Sequence, residues 1–279
     1  VNNRNKAIFW VALCIAFFCG CAHRCHIMRA KAEMNSVLPE ALPHGNILNV
    51  VDDIYFVMGT NVIVHDGIRI QSSRTMTITR ENGELTLVNS IRLNDAGLKE
   101  LEKLGRIKNV IRLGAFHGRD DAFYQRAYGA KLWASPQMEF IHGEVLDHDL
   151  GSERLPISRS RIIEFDTTKF KEFLLLLERS GGILIACDSI KNWQKKDQFF
   201  DNITFEMMRT AGSIGAGKID ATWLQAMSPS KEGIKAIGDL AFTILLSAHG
   251  EPLKNRANQN INSSIRDAEL FLEKMNMIY

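Results

Sequence analysis

The chain has 279 residues, of which 46% are hydrophobic and 24% charged, with 34 Lys and Arg against 32 Asp and Glu. This composition is that of a globular protein and excludes a disordered or fibrous chain. The net charge of +2, with no basic stripe, gives no argument for a nucleic-acid partner.

Residues 1–25 read as a targeting leader. Arg4 and Lys6 precede an uncharged apolar run from Ala7 to Gly20. The run is long for the apolar region of a signal peptide and short for a membrane-spanning helix of about 20 residues. Phe18-Cys19-Gly20-Cys21 is similar to the lipobox of bacterial lipoproteins, with Phe18 and Cys19 departing from it. The expected product is exported to the cell envelope and held at a membrane surface by acyl chains on Cys21. The alternatives are an uncleaved anchor helix and a true start at Met34, which would leave the protein cytoplasmic. Residues 26–45 read as a linker. Four of the five cysteines precede residue 26, so the body, which holds only Cys187, has no internal disulfide and rests on its core.

From residue 46 the chain opens with β patterning. Residues 47–59 are β-branched and aromatic-rich, and 61–70 alternate around His65-Asp66-Gly67. Residues 75–80 and 84–90 flank Asn82-Gly83, a strong hairpin signal. The period then changes. Leu98, Leu101 and Leu104 predict a helix over 95–104 with Gly105 as its cap. A strand follows at 107–116, a helix at 119–128 closed by Gly129, and a short strand at 131–135. Residues 170–189 predict two strands across Ser180-Gly181-Gly182. Helices are predicted at 205–212, from 231 into a strand or loop near 250, and at 262–278 with Ser263 or Ser264 as cap. No repeat or proline-rich linker interrupts 46–279, which reads as one α/β domain.

Three motifs place a polar residue where an apolar strand stops: Gly114–Asp121, Gly181–Ile190 and Leu245–Leu253. Loops at strand ends are where α/β sheets hold ligands. His117, Asp120, Asp121, Asp188 and His249 are therefore the residues most able to converge. Imidazole and carboxylate together suit zinc, iron or manganese. Two His and two Asp leave a position open for water, which a metal makes nucleophilic as hydroxide. Cys187 alternates with Asp188 and belongs on the other face of the strand. His142 and His148 read as surface residues. Gly212–Lys218 lacks the form of a phosphate-binding loop and reads as a flexible loop at the site mouth. Trp193, Phe199, Phe200 and Trp223 are candidates either for the core or for a cleft beside Asp188.

The order of these motifs resembles that of the metallo-β-lactamase-fold hydrolases across residues 47–255. Asn89 stands where that family has a strand-end Asp. Ala115-Phe116-His117-Gly118-Arg119-Asp120 stands where it has His-x-His-x-Asp-His. Asp188 matches its bridging Asp, and His249 its terminal Gly-His-Gly histidine. No histidine occupies 165–173, where the family has another ligand. The resemblance implies a four-layer αββα sandwich with one divalent metal ion, zinc first, iron or manganese as alternatives. His117, Asp120, Asp188 and His249 would be its ligands, with Asp188 and Asp120 in the catalytic role. It implies a metal-dependent hydrolase of a small-molecule ester, lactone, amide or phosphoester, with Arg119 orienting an anionic substrate group. The missing histidines support an alternative, a binding or scaffold protein at the cell surface that keeps the fold without the chemistry. A redox protein with non-haem iron is a third reading.

Overall fold

Strand-forming runs and tight turns build the first half of the chain into one sheet. The computed structural model describes residues 38–65, 67–165 and 169–276. The expected leader, with Cys21, lies outside the described residues. Strands β1 (Leu48–Val51), β2 (Ile54–His65), β3 (Ile68–Glu81) and β4 (Glu84–Val88) are consecutive antiparallel neighbours. The turn between β3 and β4 is the expected one. Asn82 and Gly83 take φ of 52° and 74°, the left-handed pair that matches strand twist in a two-residue hairpin.

Helix α1 (Asp95–Leu104) then carries the chain back, so that β5 (Arg106–Ile111) pairs parallel with β4. Asn94 caps α1, its side chain accepting from the Gly97 amide at 2.9 Å. Gly105 follows α1 as expected, but its φ of 160° is extended. Glycine is required there for space, since a Cβ would lie 2.5 Å from the Gly83 carbonyl oxygen. Helix α2 (Asp121–Tyr128) ends on Gly129 at φ 66°, a left-handed cap. It leads to β6 (Lys131–Ala134) and β7 (His148–Asp149), which complete a seven-stranded sheet in chain order.

The second sheet comes from the second half. Its order is β12-β11-β10-β9-β8, from β8 (Ser160–Glu164), β9 (Phe173–Leu177), β10 (Ile183–Ala186), β11 (Ile244–Ser247) and β12 (Leu253–Lys254). Strands β10 and β11 are parallel. Helices α3 (Asn202–Thr210), α4 (Ala221–Met227) and α5 (Lys231–Gly238) fill the connection between them, and α6 (Ala257–Asn276) closes the chain. Two expectations are corrected here. Helix α4 has no counterpart in the sequence reading. Helix α6 starts at Ala257, ahead of the expected 262, so Ser263 and Ser264 lie inside it. The Ser264 hydroxyl instead accepts from the Ile219 amide at 2.7 Å.

Alternation along the strands sets the layers. In β9, Phe173, Leu175 and Leu177 enter the core shared with the first sheet, with Ile183, Ile185 and Leu246 beside them. Leu174, Leu176, Leu184 and Leu245 face the other way, against Trp223, Leu224, Ile234, Ile237 and Ile261 of α4, α5 and α6. Each fully buried leucine contributes about 1.5–3 kcal/mol, so a strand apolar on both faces requires a cover on both. One face takes the other sheet and one takes helices. Leu101 of α1 and Phe123 and Tyr124 of α2 join the core of the first sheet. The result is the four-layer αββα sandwich. No helix among the described residues is long and apolar enough to cross a membrane.

Candidate metal centre

Parallel pairing of β10 and β11 places Ala186 opposite Ser247. Asp188 and His249 each lie two residues past that pair, so the register sets them side by side. His117 comes from the other sheet, on the loop after β5. That loop is drawn in by hydrogen bonds from the His117 amide to the Gly114 carbonyl and from the Phe173 amide to the Leu113 carbonyl, at 3.2 and 2.8 Å. Glycine is needed at 118, where a Cβ would stand 2.2 Å from the Arg112 guanidinium carbon. Gly250, at φ 99°, leaves room beside the Asn192 carbonyl for the turn after His249.

The three side chains meet. Asp188 Oδ1 is 2.7 Å from His249 Nε2 and 3.3 Å from His117 Nε2. One ligand atom from each residue lies within 4.8 Å of the others, and all three residues are buried. A tetrahedral shell with metal–ligand bonds of about 2.0–2.1 Å has donor–donor edges of about 3.3 Å, so the spacing suits a small divalent ion. The hydrogen bonds point the same way. His249 Nδ1 faces the Ser73 carbonyl at 3.3 Å, while its Nε2 faces Asp188. Both partners are acceptors, and a neutral imidazole has one N–H. One contact therefore needs an added proton or a cation. His117 Nδ1 is buried with no hydrogen-bond partner among the described residues.

Electrostatics favour a neutral His117 beside an ionised Asp188. Burial lowers the His117 pKa against the pull of Asp188, with Arg74 adding to the lowering. Burial works against a charged Asp188, but His117 and His249 outweigh it and hold its carboxyl well below the usual range. Those are the protonation states metal ligands need. Beneath the trio, Glu172 accepts from the Ser189 amide at 2.6 Å and from Trp223 Nε1 at 2.9 Å. Burial, then the nearby Asp188 charge, pushes its carboxyl up to about 7. Lys191 is buried on Asp220 at 2.8 Å and also reaches the Asp188 carbonyl at 3.1 Å.

Asp120 is not part of this group. Its carboxylate is buried between two arginines, Arg119 Nη1 at 2.5 Å and Arg74 Nη1 at 3.5 Å. Both arginines are among the residues that line the cleft and Asp120 is not. A carboxylate engaged by two permanent cations is a poor metal ligand, so the expected four-residue set reduces to three converging residues. Asp121 is also committed elsewhere, bonded to Arg112 Nε and Ser90 Oγ at 2.6 Å each. Asn89, at φ 55°, ties the sheets together, donating to the Ala186 carbonyl at 3.3 Å and accepting from the Leu113 amide at 3.2 Å.

The other expected residues separate in the same way. His142 lines the cleft without joining the trio, and His148 stacks on Trp133 with ring centroids 4.0 Å apart. Trp193 lines the cleft, 4.7 Å from the His249 ring, and donates to Ser73 Oγ at 3.0 Å. Phe199, Phe200 and Trp223 are core. Cys187 is fully buried, and burial raises its thiol well above the ordinary value. The Gly212–Lys218 loop packs back on the chain, Lys191 and Lys218 exchanging backbone hydrogen bonds. Sequence reasoning missed Arg74, Glu172 and the Lys191–Asp220 pair. A signal existed for Glu172, a lone acid directly before five apolar strand residues.

No family model matches the sequence, and no curated protein matches it. Solved structures do match the fold. VMB-1, determined at pH 5.5, is 11% identical with a TM-score of 0.55, over 85% of this chain and all of that one. The metallo-β-lactamase FIM-1 from Pseudomonas aeruginosa, in its mono-zinc form, is 14% identical with a TM-score of 0.50, over 84% of this chain and all of that one. A mutant flavo di-iron protein from Thermotoga maritima is 15% identical with a TM-score of 0.56, over 81% of this chain and 63% of that one. With its two facing sheets, outer helices and polar trio at the strand ends, this chain has the metallo-β-lactamase fold.

Proposed function

We propose that the protein is a metal-dependent hydrolase of a small molecule, with one divalent ion, zinc first, held by His117, Asp188 and His249. The observation that carries this reading is the convergence of two imidazoles and one carboxylate from both sheets at the floor of a cleft. FIM-1 in its mono-zinc form is a neighbour in fold that holds a single zinc. Bound here, a divalent ion supplies the Lewis acidity that lets water attack an ester, lactone, amide or phosphoester near neutral pH.

The chain's own groups do the rest. The Ser73 carbonyl accepts a hydrogen bond from His249 Nδ1–H, which leaves Nε2 free as a ligand atom. Glu172 fixes the turn after β10 through the Ser189 amide and so aims Asp188. Phe116 and Trp193 line the same cleft as the trio and give it apolar surface. The cleft encloses about 960 Å³, at the upper end of the range of about 300–1,000 Å³ for small-molecule sites. Anchoring at a membrane surface through Cys21 is part of the proposal, supported by the charge pattern and the Phe18–Cys21 motif alone.

The test is the metal content of protein purified without added metal, followed by a panel of ester, lactone, amide and phosphodiester substrates. About one ion per chain, and hydrolysis lost on chelation and restored by zinc, manganese or iron, is expected. A folded protein that takes up no stoichiometric metal overturns it.

A further inference from the structure

Apolar side chains exposed to water are ordinary when scattered and informative when they gather. Of the eight large apolar residues exposed among the described residues, Val64, Ile68, Phe116 and Ile141 line one cleft, the one that holds the trio. They come from three separate parts of the chain. Val64 and Ile68 sit at the tip of the β2–β3 hairpin, which no other strand flanks beyond Phe56 and Thr77. Phe116 follows β5 and meets Phe170 edge-on, with ring centroids 5.2 Å apart. Ile141 lies between β6 and β7. Val64 is 70% exposed and Ile141 64%, so the core makes little use of either.

The chain enters the domain at the same place. Pro39 lines the cleft. Its carbonyl accepts from Arg92 Nη1 at 2.5 Å, and the Glu40 carbonyl accepts from Arg119 Nη2 at 2.8 Å. The Thr60 amide donates to the Pro43 carbonyl and the Gly45 amide to the Met58 carbonyl, both at 2.8 Å, which fastens the next residues along β2. In the sequence, residues 21–37 separate Leu38 from the apolar run Ala7–Gly20, and they carry Arg24, Arg29 and Lys31 against Glu33. Lys169, also exposed, lines the same cleft.

We propose that this apolar rim docks on an anionic lipid bilayer, so that the cleft opens toward the membrane. The docking takes its tether from the anchoring at Cys21 proposed above and needs neither the metal nor the hydrolysis. That tether spans at most about 60 Å when fully extended, which limits distance and leaves orientation to the rim. Apolar side chains of this kind enter the boundary between headgroups and acyl chains, about 5–10 Å deep, while neighbouring cations meet the negative headgroups. A second copy of the chain would set the same cations against each other, whereas an anionic bilayer neutralises them.

The full chain, reconstituted with vesicles of phosphatidylethanolamine and phosphatidylglycerol, tests this site by site. Val64→Trp and Ile141→Trp each put a fluorescent reporter on the rim. Leu270→Trp, exposed on α6 and outside the cleft lining, is the control. Lipids with brominated acyl chains should quench the emission added at the rim several-fold more than that added at the control. Ile68→Asp in the Val64→Trp protein should bring the quenching down toward the control. Both rim reporters occupy exposed positions, and either decides the matter if circular dichroism shows the other unfolded. Protein that floats with the vesicles but is quenched equally at all three sites, or not at the rim, overturns the docking and leaves the anchor standing. Protein that neither floats nor is quenched overturns both. Rim emission shifted to shorter wavelength without vesicles, in protein that sediments as a dimer, assigns the surface to a second copy and overturns the bilayer. Rim quenching in protein that takes up no metal upholds the docking while the hydrolase reading falls.

Discussion

Asp188 and Asp120 are both buried acids that follow a strand of a central sheet, and the sequence offers both as metal ligands. Their neighbours make them different. Asp188 faces two imidazoles, at 2.7 and 3.3 Å. Asp120 faces two guanidiniums, at 2.5 and 3.5 Å. An imidazole gives up its proton near neutrality and then offers a lone pair, so a metal replaces the proton and keeps every contact. A guanidinium never gives up its proton. The type of base opposite a carboxylate, rather than the carboxylate or its burial, decides whether it is open to a metal.

The largest expected effect on function is at Asp188. Asp188→Ala should reduce bound metal from about one ion per chain to a small fraction of that, with the protein still folded, because the fold rests on the two apolar cores and not on the trio. Elemental analysis beside a circular dichroism spectrum reads both. His249→Ala should behave likewise. Asp120→Ala is the mirror case: metal retained, stability lost. Breaking a buried ion pair and stranding its cation costs about 3–5 kcal/mol, visible as a fall in urea midpoint. Should Asp120→Ala empty the site instead, the distinction between the two carboxylates collapses.

Glu172 gives a pH signature for the trio's support. Its folded pKa of about 7 stands above its ordinary 4.5. The unfolded chain therefore releases the proton first, and the stabilisation is full below 4.5 and is lost as pH rises through about 7. Glu172→Gln should flatten that slope in chelated protein, as measured by urea unfolding at several pH values; an unchanged slope would assign it to another group. Arg119→Ala should cost less than Asp120→Ala, since its side chain is 24% exposed and Arg74 still neutralises the carboxylate. His142→Ala and His148→Ala should change bound metal not at all.

Much of this was legible because it is local. Asn82-Gly83 announced its hairpin, Leu98, Leu101 and Leu104 their helix, and Gly129 its cap. His117, Asp188 and His249 were readable as polar residues where apolar runs stop, a pattern that holds whatever the tertiary partners. What was hidden depended on pairing across the fold. Arg74 sits in the middle of β3, between the two runs read as strands at 61–70 and 75–80, and nothing near it in sequence says that it is buried against Asp120. The start of α6 was hidden because Asn258, Asn260 and Asn262 read as loop, though Asn258 and Asn262 bond to each other side chain to side chain at 3.1 Å in the helix. Helix α4 is seven residues long, too short for a periodic signal. Its start depends on Asp220, which caps it through the Trp223 amide at 2.9 Å.

Each sheet is made from a continuous half of the chain, strands β1 to β7 ending at Asp149 and β8 to β12 beginning at Ser160. His117 belongs to the first half, and Asp188 and His249 to the second. Within each half the pairings are between strands consecutive in sequence, whereas the core between the sheets and the trio both join the two halves. The trio exists only once the two have docked, which makes it a late contact on the folding path. Interactions formed after the transition state slow unfolding and leave folding rates almost unchanged. An ion held by the trio would therefore act as a kinetic lock between the halves, lengthening the life of the native state without hastening its arrival.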